Sequence, residues 1–200
     1  MTQLYLLRHG HVENPQQVFC SEGFPLSDQG AQEIVRLAHD FQTADISINA
    51  IISSPYLRTR ETAEIMVQAM NLPEVVFDDR LKEWQVGSWF DRPFTEFYAA
   101  TKYDQEPPPS VLPSEVESLH VMADRMVSAI LEYEKQFRGK SILIVSHREP
   151  LVTALLSFQQ KSFDEVHHVS FSMGSVWKLE FDEKGTFIKT EKVFDESGGT

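Results

Sequence analysis

Arg8, His9 and Gly10 follow one another where a short apolar run, Leu4 to Leu7, stops. Arginine supplies a rigid, permanently charged fork that suits phosphate or carboxylate. Histidine can act as nucleophile, base or metal ligand near neutral pH. Glycine lets another chain or a ligand come close to the backbone. His147 stands in the same relation to a second run, Ser141 to Ser146, and Arg58 falls about one turn into a helix expected after a third, Ala50 to Ile52. A cation in a first helical turn faces the positive end of the macrodipole, at a cost on the order of a few tenths of a kcal/mol. An anion bound at the same helix end makes the arrangement favourable, because exposed N–H groups and the guanidinium then act together. The alternatives for Arg58 are solvent, or Glu61 three residues on along the helix surface. Ligands of open α/β sheets bind beyond the carboxyl ends of strands, where all of these residues fall. Their shared chemistry is the handling of an anionic group such as phosphate.

The elements that must hold these residues alternate along the chain. Leu4 to Leu7 is long enough for a buried strand and too short for a buried helix. Glu13 to Pro25 has no period and reads as a loop. Ser27 reads as an N-cap, followed by Ala31, Ile34, Val35, Ala38 and Phe41 on one helical face. Ser54 as N-cap with Pro55 at the first helical position predicts a helix from Tyr56 to about Met70. Val75 to Phe77 is predicted as a strand, Lys82 to Phe94 as a loop carrying Glu83, and Thr95 to Thr101 as a short helix. Asp104 to Pro113 contains Pro107, Pro108 and Pro109 and must be irregular, either a lid or specificity loop or a plain solvated one. Ser114 with Glu117 predicts a capping box. The helix it opens has Val116, Leu119, Ala123, Met126, Ile130, Tyr133 and Phe137 as a core face rather than a coiled-coil seam. SILIVS is the clearest buried strand, a helix is expected near Pro150, and SVWKLEF and TFIKTEKVF form a hairpin around Asp182 to Gly185. The fold class expected is α/β. It is a single-domain three-layer sandwich over 1–195, a mostly parallel sheet with helices on both faces and an antiparallel edge hairpin. Residues 196–200 are expected to form a frayed tail.

Bulk properties narrow the class. The 200 residues suffice for one domain with a sizeable core. No apolar run approaches the roughly 18 residues of a membrane span, and the N-terminus lacks the basic and apolar segments of an export signal. Cys20 is the only cysteine, so no internal disulfide forms and a cytoplasmic enzyme is expected. The formal net charge of -12 argues against nucleic acid. It does not exclude phosphate, because charges beyond a Debye length of about 8 Å are largely screened. Opposite charges about 4 Å apart attract by roughly 4 kcal/mol at an effective dielectric near 20.

The stretches LYLLRHG, FPLSDQG, SSPYLRTRET, LKEWQVGSWF and ILIVSH, in that order, resemble the histidine phosphatase superfamily, the phosphoglycerate-mutase-like enzymes. The resemblance runs from the first strand to His147. It implies that His9 is the nucleophile, taking the phosphoryl group as phosphohistidine, and that Arg8, Arg58 and His147 surround the phosphoryl oxygens. It also implies that Glu83 donates a proton to the leaving oxygen and then helps to activate water. Phosphoryl transfer asks mainly for positioning and positive charge, which agrees with these residue types. The acid must be protonated at working pH, which burial beside Trp84 and Trp89 would favour. His9 must be neutral to attack, whereas His147 is expected to be more useful protonated. The expected activity is hydrolysis of a small phosphomonoester with no cofactor and no metal. The expected partner is that small phosphorylated substrate, not nucleic acid or membrane, and no oligomeric state is set. The alternatives are a mutase or a non-catalytic phospho-ligand-binding relative.

Departures from the family pattern fall around the site. His11 and Val12 replace the common Glu or Gln followed by Thr or Ser, and Asn14 lies one position short of the usual phosphate-contacting Asn. Arg148, Glu149 and Pro150 stand where glycines are common, and the Trp-Asn pair of glycolytic mutases is missing, which weakens the mutase alternative. Asn14 and Arg148 are accordingly carried as substrate-binding candidates of undefined role. A metal hydrolase using His9 with His11, or His167 with His168, is a further alternative. The first pair would need the strand to continue past Gly10, and adjacent histidines such as the second are more often surface residues.

Overall fold

The computed structural model describes residues 1–195, so the predicted tail at 196–200 lies outside the described residues. The elements are β1 (Thr2–Arg8), α1 (Asp28–Thr43), β2 (Ala50–Ser53), α2 (Leu57–Met70), β3 (Val76–Phe77), α3 (Phe94–Thr101), α4 (Leu119–Gln136), β4 (Ser141–Ser146), α5 (Arg148–Phe158), β5 (Val176–Phe181) and β6 (Phe187–Phe194). One six-stranded sheet runs in the order β3-β2-β4-β1-β5-β6. β4 pairs parallel with both β1 and β2, and β3 pairs parallel with β2. The closing hairpin adds antiparallel pairing at the other edge, through β5 to β1 and β6 to β5.

The central strands bury both faces, which is why they read as continuous apolar runs instead of alternating ones. Tyr5, Leu7, Leu143 and Val145 pack under Ile34 and Phe41 of α1 and Met66 of α2. Leu4, Leu6, Ile142 and Ile144 pack on the opposite side under Met126 and Ile130 of α4 and Leu151 and Leu155 of α5. This is the three-layer arrangement the alternation predicts. A Cβ at Gly10 would sit 2.9 Å from Ile34 Cγ1 and 3.0 Å from the Gly30 carbonyl oxygen, and one at Gly30 would collide with the His11 backbone. The close approach that Gly10 permits is therefore that of helix α1.

Two predicted helix starts are corrected. α2 begins at Leu57 after an N-cap at Tyr56 that makes no side-chain cap bond, so Ser54 lies two residues before the N-cap position. α4 begins at Leu119, where Ser118 accepts from the Val121 N–H, so the Ser114 and Glu117 capping box does not form. Its core face is as predicted, with Leu119, Ala123, Met126, Ile130 and Tyr133 buried. Segment 104–113 is irregular, and Pro108, Pro109 and Leu112 border a cavity of about 450 Å³ with Leu119 and Phe163. None of the seven candidate site residues lines that cavity. Among the described residues, no helix is long and apolar enough to cross a membrane.

Candidate active site

Strand register assembles the site. Arg8 of β1 stands opposite Ser146 of β4, and the His9 N–H donates to the Ser146 carbonyl at 3.1 Å. His9 and His147, the next residues on neighbouring strands, therefore leave the sheet together, with ring centroids 5.4 Å apart. β2 supplies Ser54 one strand over, its N–H donating to Val145 O at 3.0 Å. Ser54 Oγ lies 2.9 Å from His147 Nε2 and accepts from the Tyr56 N–H at the longer distance of 3.4 Å, ahead of the helix. The Tyr56 ring stands edge-on to His147 with centroids 5.3 Å apart.

His9 is buried, and its Nδ1 lies 2.8 Å from the Gly10 carbonyl oxygen. A carbonyl can only accept, so in the neutral ring Nδ1 carries the hydrogen and Nε2 keeps the lone pair. Burial, then the charges of Arg58 and Arg8, hold this imidazole well below its ordinary pKa of 6.5. His147 is held well below 6.5 in the same way, by burial first and then Arg58 and His9. These influences favour the neutral ring in the ligand-free protein. Its Nδ1 is buried without a hydrogen-bond partner among the described residues, and lies 3.4 Å from Glu83 Oε2.

Arg58 is the second residue of α2 and is 1% exposed. One guanidinium nitrogen donates to the Ser21 carbonyl at 2.9 Å, and the other lies 3.4 Å from Glu83 Oε2. Glu61 is not its partner, since that carboxylate accepts from the Leu26 N–H at 2.7 Å. α2 has neither an acidic residue in its first turn nor a side-chain cap, so its positive end carries no local compensation. Arg8 donates to the Phe171 carbonyl at 2.7 Å. Glu83 comes from the loop after a short 3-10 turn at Asp79–Leu81, and its Oε1 accepts from the Trp84 N–H at 2.9 Å. Burial first, and the charge of Glu149 second, raise the Glu83 carboxyl above its ordinary 4.5, while Arg58 pulls it back.

The structure thus brings His9, Arg58, Glu83 and His147 together, with Arg8 next to His9 in the chain. Asn14 and Arg148 are engaged elsewhere. The Asn14 amide donates to Val18 O at 2.8 Å and accepts from Val18 N–H at 3.0 Å, closing a turn with both of its polar ends. Arg148 pairs with Glu149 at 2.9 Å and donates to the carbonyls of Val166 and Val169 at 3.3 and 3.2 Å. Reading the sequence missed Ser54, whose position at the carboxyl end of β2 was the available signal. It also missed Arg125, which reaches in from α4 and has no local motif.

The histidine pairs considered for metal do not act together. His11 Nδ1 lies 2.7 Å from Ser27 Oγ, His167 Nε2 is 2.7 Å from the Tyr103 carbonyl oxygen, and His168 faces Glu106 at 3.3 Å. A different set, His9, Glu83 and His147, has donor atoms all within 4.8 Å and matches zinc in donor type. The guanidinium of Arg58 lies against this set and already disfavours a proton on either histidine, and the same field disfavours a dication. The field suits an anion.

A stability test follows from the neutral histidines. The unfolded chain takes up protons below about pH 6.5 that folded His9 and His147 resist. Their contribution is therefore complete above that value and is lost as pH falls toward their depressed folded values. Glu83, with its raised pKa, acts in the opposite sense. The melting temperature should fall between about pH 7.5 and about pH 5, and fall less in His147→Asn. Equal profiles for the two proteins would contradict a neutral His147.

The chain is similar to known proteins over nearly its whole length. The model of the histidine phosphatase superfamily (branch 1) matches residues 4–193. An uncharacterized phosphatase of Bacillus subtilis, PhoE, is 27% identical over 195 residues, covering 96% of this chain and 95% of its own. A probable phosphoglycerate mutase of Escherichia coli, GpmB, is 29% identical over 156 residues, covering 74% of this chain and 70% of its own. The solved structure of Bacillus stearothermophilus YhfR superposes with a TM-score of 0.84 at 27% identity, covering 94% of this chain and 95% of that one.

Proposed function

The chain belongs to the histidine phosphatase superfamily, and we propose that it hydrolyses a small phosphomonoester, without metal, through a phosphohistidine on His9. The observation that carries this reading is the neutral His9, with Nδ1–H tied to Gly10 and the Nε2 lone pair kept, beside Arg58, His147 and Glu83. In the first step Nε2 attacks phosphorus, the bond to the leaving oxygen breaks, and the Glu83 proton passes to that oxygen. In the second, the Glu83 carboxylate takes a proton from water as the water attacks phosphorus, and the P–N bond electrons return to Nε2. Arg8 and Arg58 neutralise charge on the phosphoryl oxygens. The unpartnered His147 Nδ1 bonds one of those oxygens, and a bound dianion raises the imidazole pKa, so protonation accompanies substrate and not the resting enzyme.

Asn14 and Arg148 are given no part in this reading: Asn14 is tied to Val18, and Arg148 donates to Glu149, Val166 and Val169. We read 1–195 as one catalytic domain. A cytoplasmic setting fits it, since Cys20 is the only cysteine. Transfer to a second substrate would use the same centre, but the missing Trp-Asn pair favours water as acceptor. The test is purified, chelator-treated protein on a broad phosphomonoester panel. Inorganic phosphate should be released at the rate seen without chelator. Loss of activity restored by a divalent ion, or transfer without phosphate release, would overturn the reading.

A further inference from the structure

We propose that Arg125 and Glu117 form a clamp that sets the position of Glu83 for proton transfer, an inference that rests on Glu83 being the proton donor. Glu83 lies outside any helix or strand, so its placement has to come from other elements. Arg125, on α4, reaches that loop through its backbone. Its Nη1 donates to the carbonyls of Arg80 and Lys82 at 2.7 Å each, and Nη2 donates to the Glu83 carbonyl at 3.1 Å. The remaining donors, from Nε and Nη2, go to the Glu117 carboxylate at 2.6 and 2.9 Å. All five N–H donors of the guanidinium are thereby used.

Glu117 closes the other side. Its N–H donates to the Gln85 carbonyl at 2.8 Å, its carboxylate accepts from the Gln85 N–H at 3.2 Å, and its carbonyl accepts from Trp84 Nε1 at 2.7 Å. Residues on both sides of Glu83 are therefore tied to one ion pair, whose side chains are only 17% and 9% exposed. Within the site, Arg58 at 3.4 Å draws the Glu83 carboxylate toward an ion pair, and the clamp fixes the backbone against that pull. Glu83 acts only if it reaches the leaving oxygen, and misplacement by about 1 Å can cost about 10²-fold in rate. Lysine could keep the charge but could not satisfy three carbonyls and a carboxylate at once.

The experiment compares Arg125→Lys, Glu117→Gln and Glu83→Gln with native enzyme on an alkyl phosphomonoester and on p-nitrophenyl phosphate, whose leaving group needs little protonation. In Arg125→Lys, kcat/KM, which reports the step that expels the leaving group, should fall on the alkyl ester at least about 10-fold further than on p-nitrophenyl phosphate. Glu117→Gln should show the same dependence more weakly, and it serves alone if Arg125→Lys does not fold. Equal losses on the two substrates, or none, would overturn the clamp. If Glu83→Gln itself shows no leaving-group dependence, the proton-donor assignment fails and the clamp with it. If Glu83→Gln shows it and the clamp variants do not, only this inference fails.

Discussion

His9→Ala should abolish turnover, with kcat reduced by about 10⁴-fold or more, the scale expected when a covalent nucleophile is removed. The neutral ring offers its lone pair at Nε2 because Gly10 takes the Nδ1 hydrogen. The other nitrogens of the cluster are poor substitutes. A guanidinium such as those of Arg8 and Arg58 is permanently charged and a poor nucleophile, and of the two His147 nitrogens Nε2 is bonded to Ser54 Oγ while Nδ1 faces Glu83 Oε2 at 3.4 Å. The variant should keep its affinity for phosphate or vanadate within about an order of magnitude, because the guanidinium groups and His147 remain. Rapid-quench kinetics for turnover and equilibrium binding for the anion separate the two effects. A His9→Ala protein that still hydrolyses at more than about a hundredth of the native rate would place the nucleophile elsewhere.

Glu83→Gln has the second largest expected effect, about 10²- to 10⁴-fold on alkyl phosphomonoesters, the usual contribution of a positioned acid. Glutamine still accepts the Trp84 N–H through its amide oxygen, so local structure is retained. The pH profile carries the sharper signature. Native activity requires protonated Glu83 and neutral His9. It should fall on the alkaline side as pH rises through the raised carboxyl pKa, and on the acid side as pH falls through the depressed imidazole pKa. The variant should lose the alkaline limb caused by Glu83 and keep the acid limb. An unchanged profile with an unchanged rate would remove Glu83 from the mechanism.

Much of the fold and of the site is legible in the sequence, and the reasons are particular. Parallel strands buried on both faces are continuous apolar runs, so LYLL and SILIVS could be read directly, and with them the positions of His9 and His147 beyond their ends. The hairpin at Asp182 to Gly185 carried its own turn chemistry, and the Asp182 N–H indeed donates to the Thr186 carbonyl at 2.9 Å. What failed was choice among partners. Ser54 has the residue type and spacing of an N-cap, but across the sheet it meets a buried imidazole whose polar nitrogen needs a bond more. Glu117 has the spacing of a capping box, but Arg125 eight residues on takes its carboxylate into an ion pair. Arg58 finds Glu83, 25 residues away, in preference to Glu61 on its own helix. Arg125 left no local trace, because three of its partners are backbone carbonyls, which every residue possesses.

The central claim is a covalent phosphoryl group on His9, and trapping that species tests it most directly. Enzyme mixed with a labelled phosphomonoester and quenched within a turnover should carry label that survives base and is lost in acid, the behaviour of a phosphorus–nitrogen bond. Peptide mapping should place it on the segment containing His9, and it should form and decay fast enough to account for turnover. Its absence throughout a full turnover, or its presence on any residue other than His9, would contradict the account.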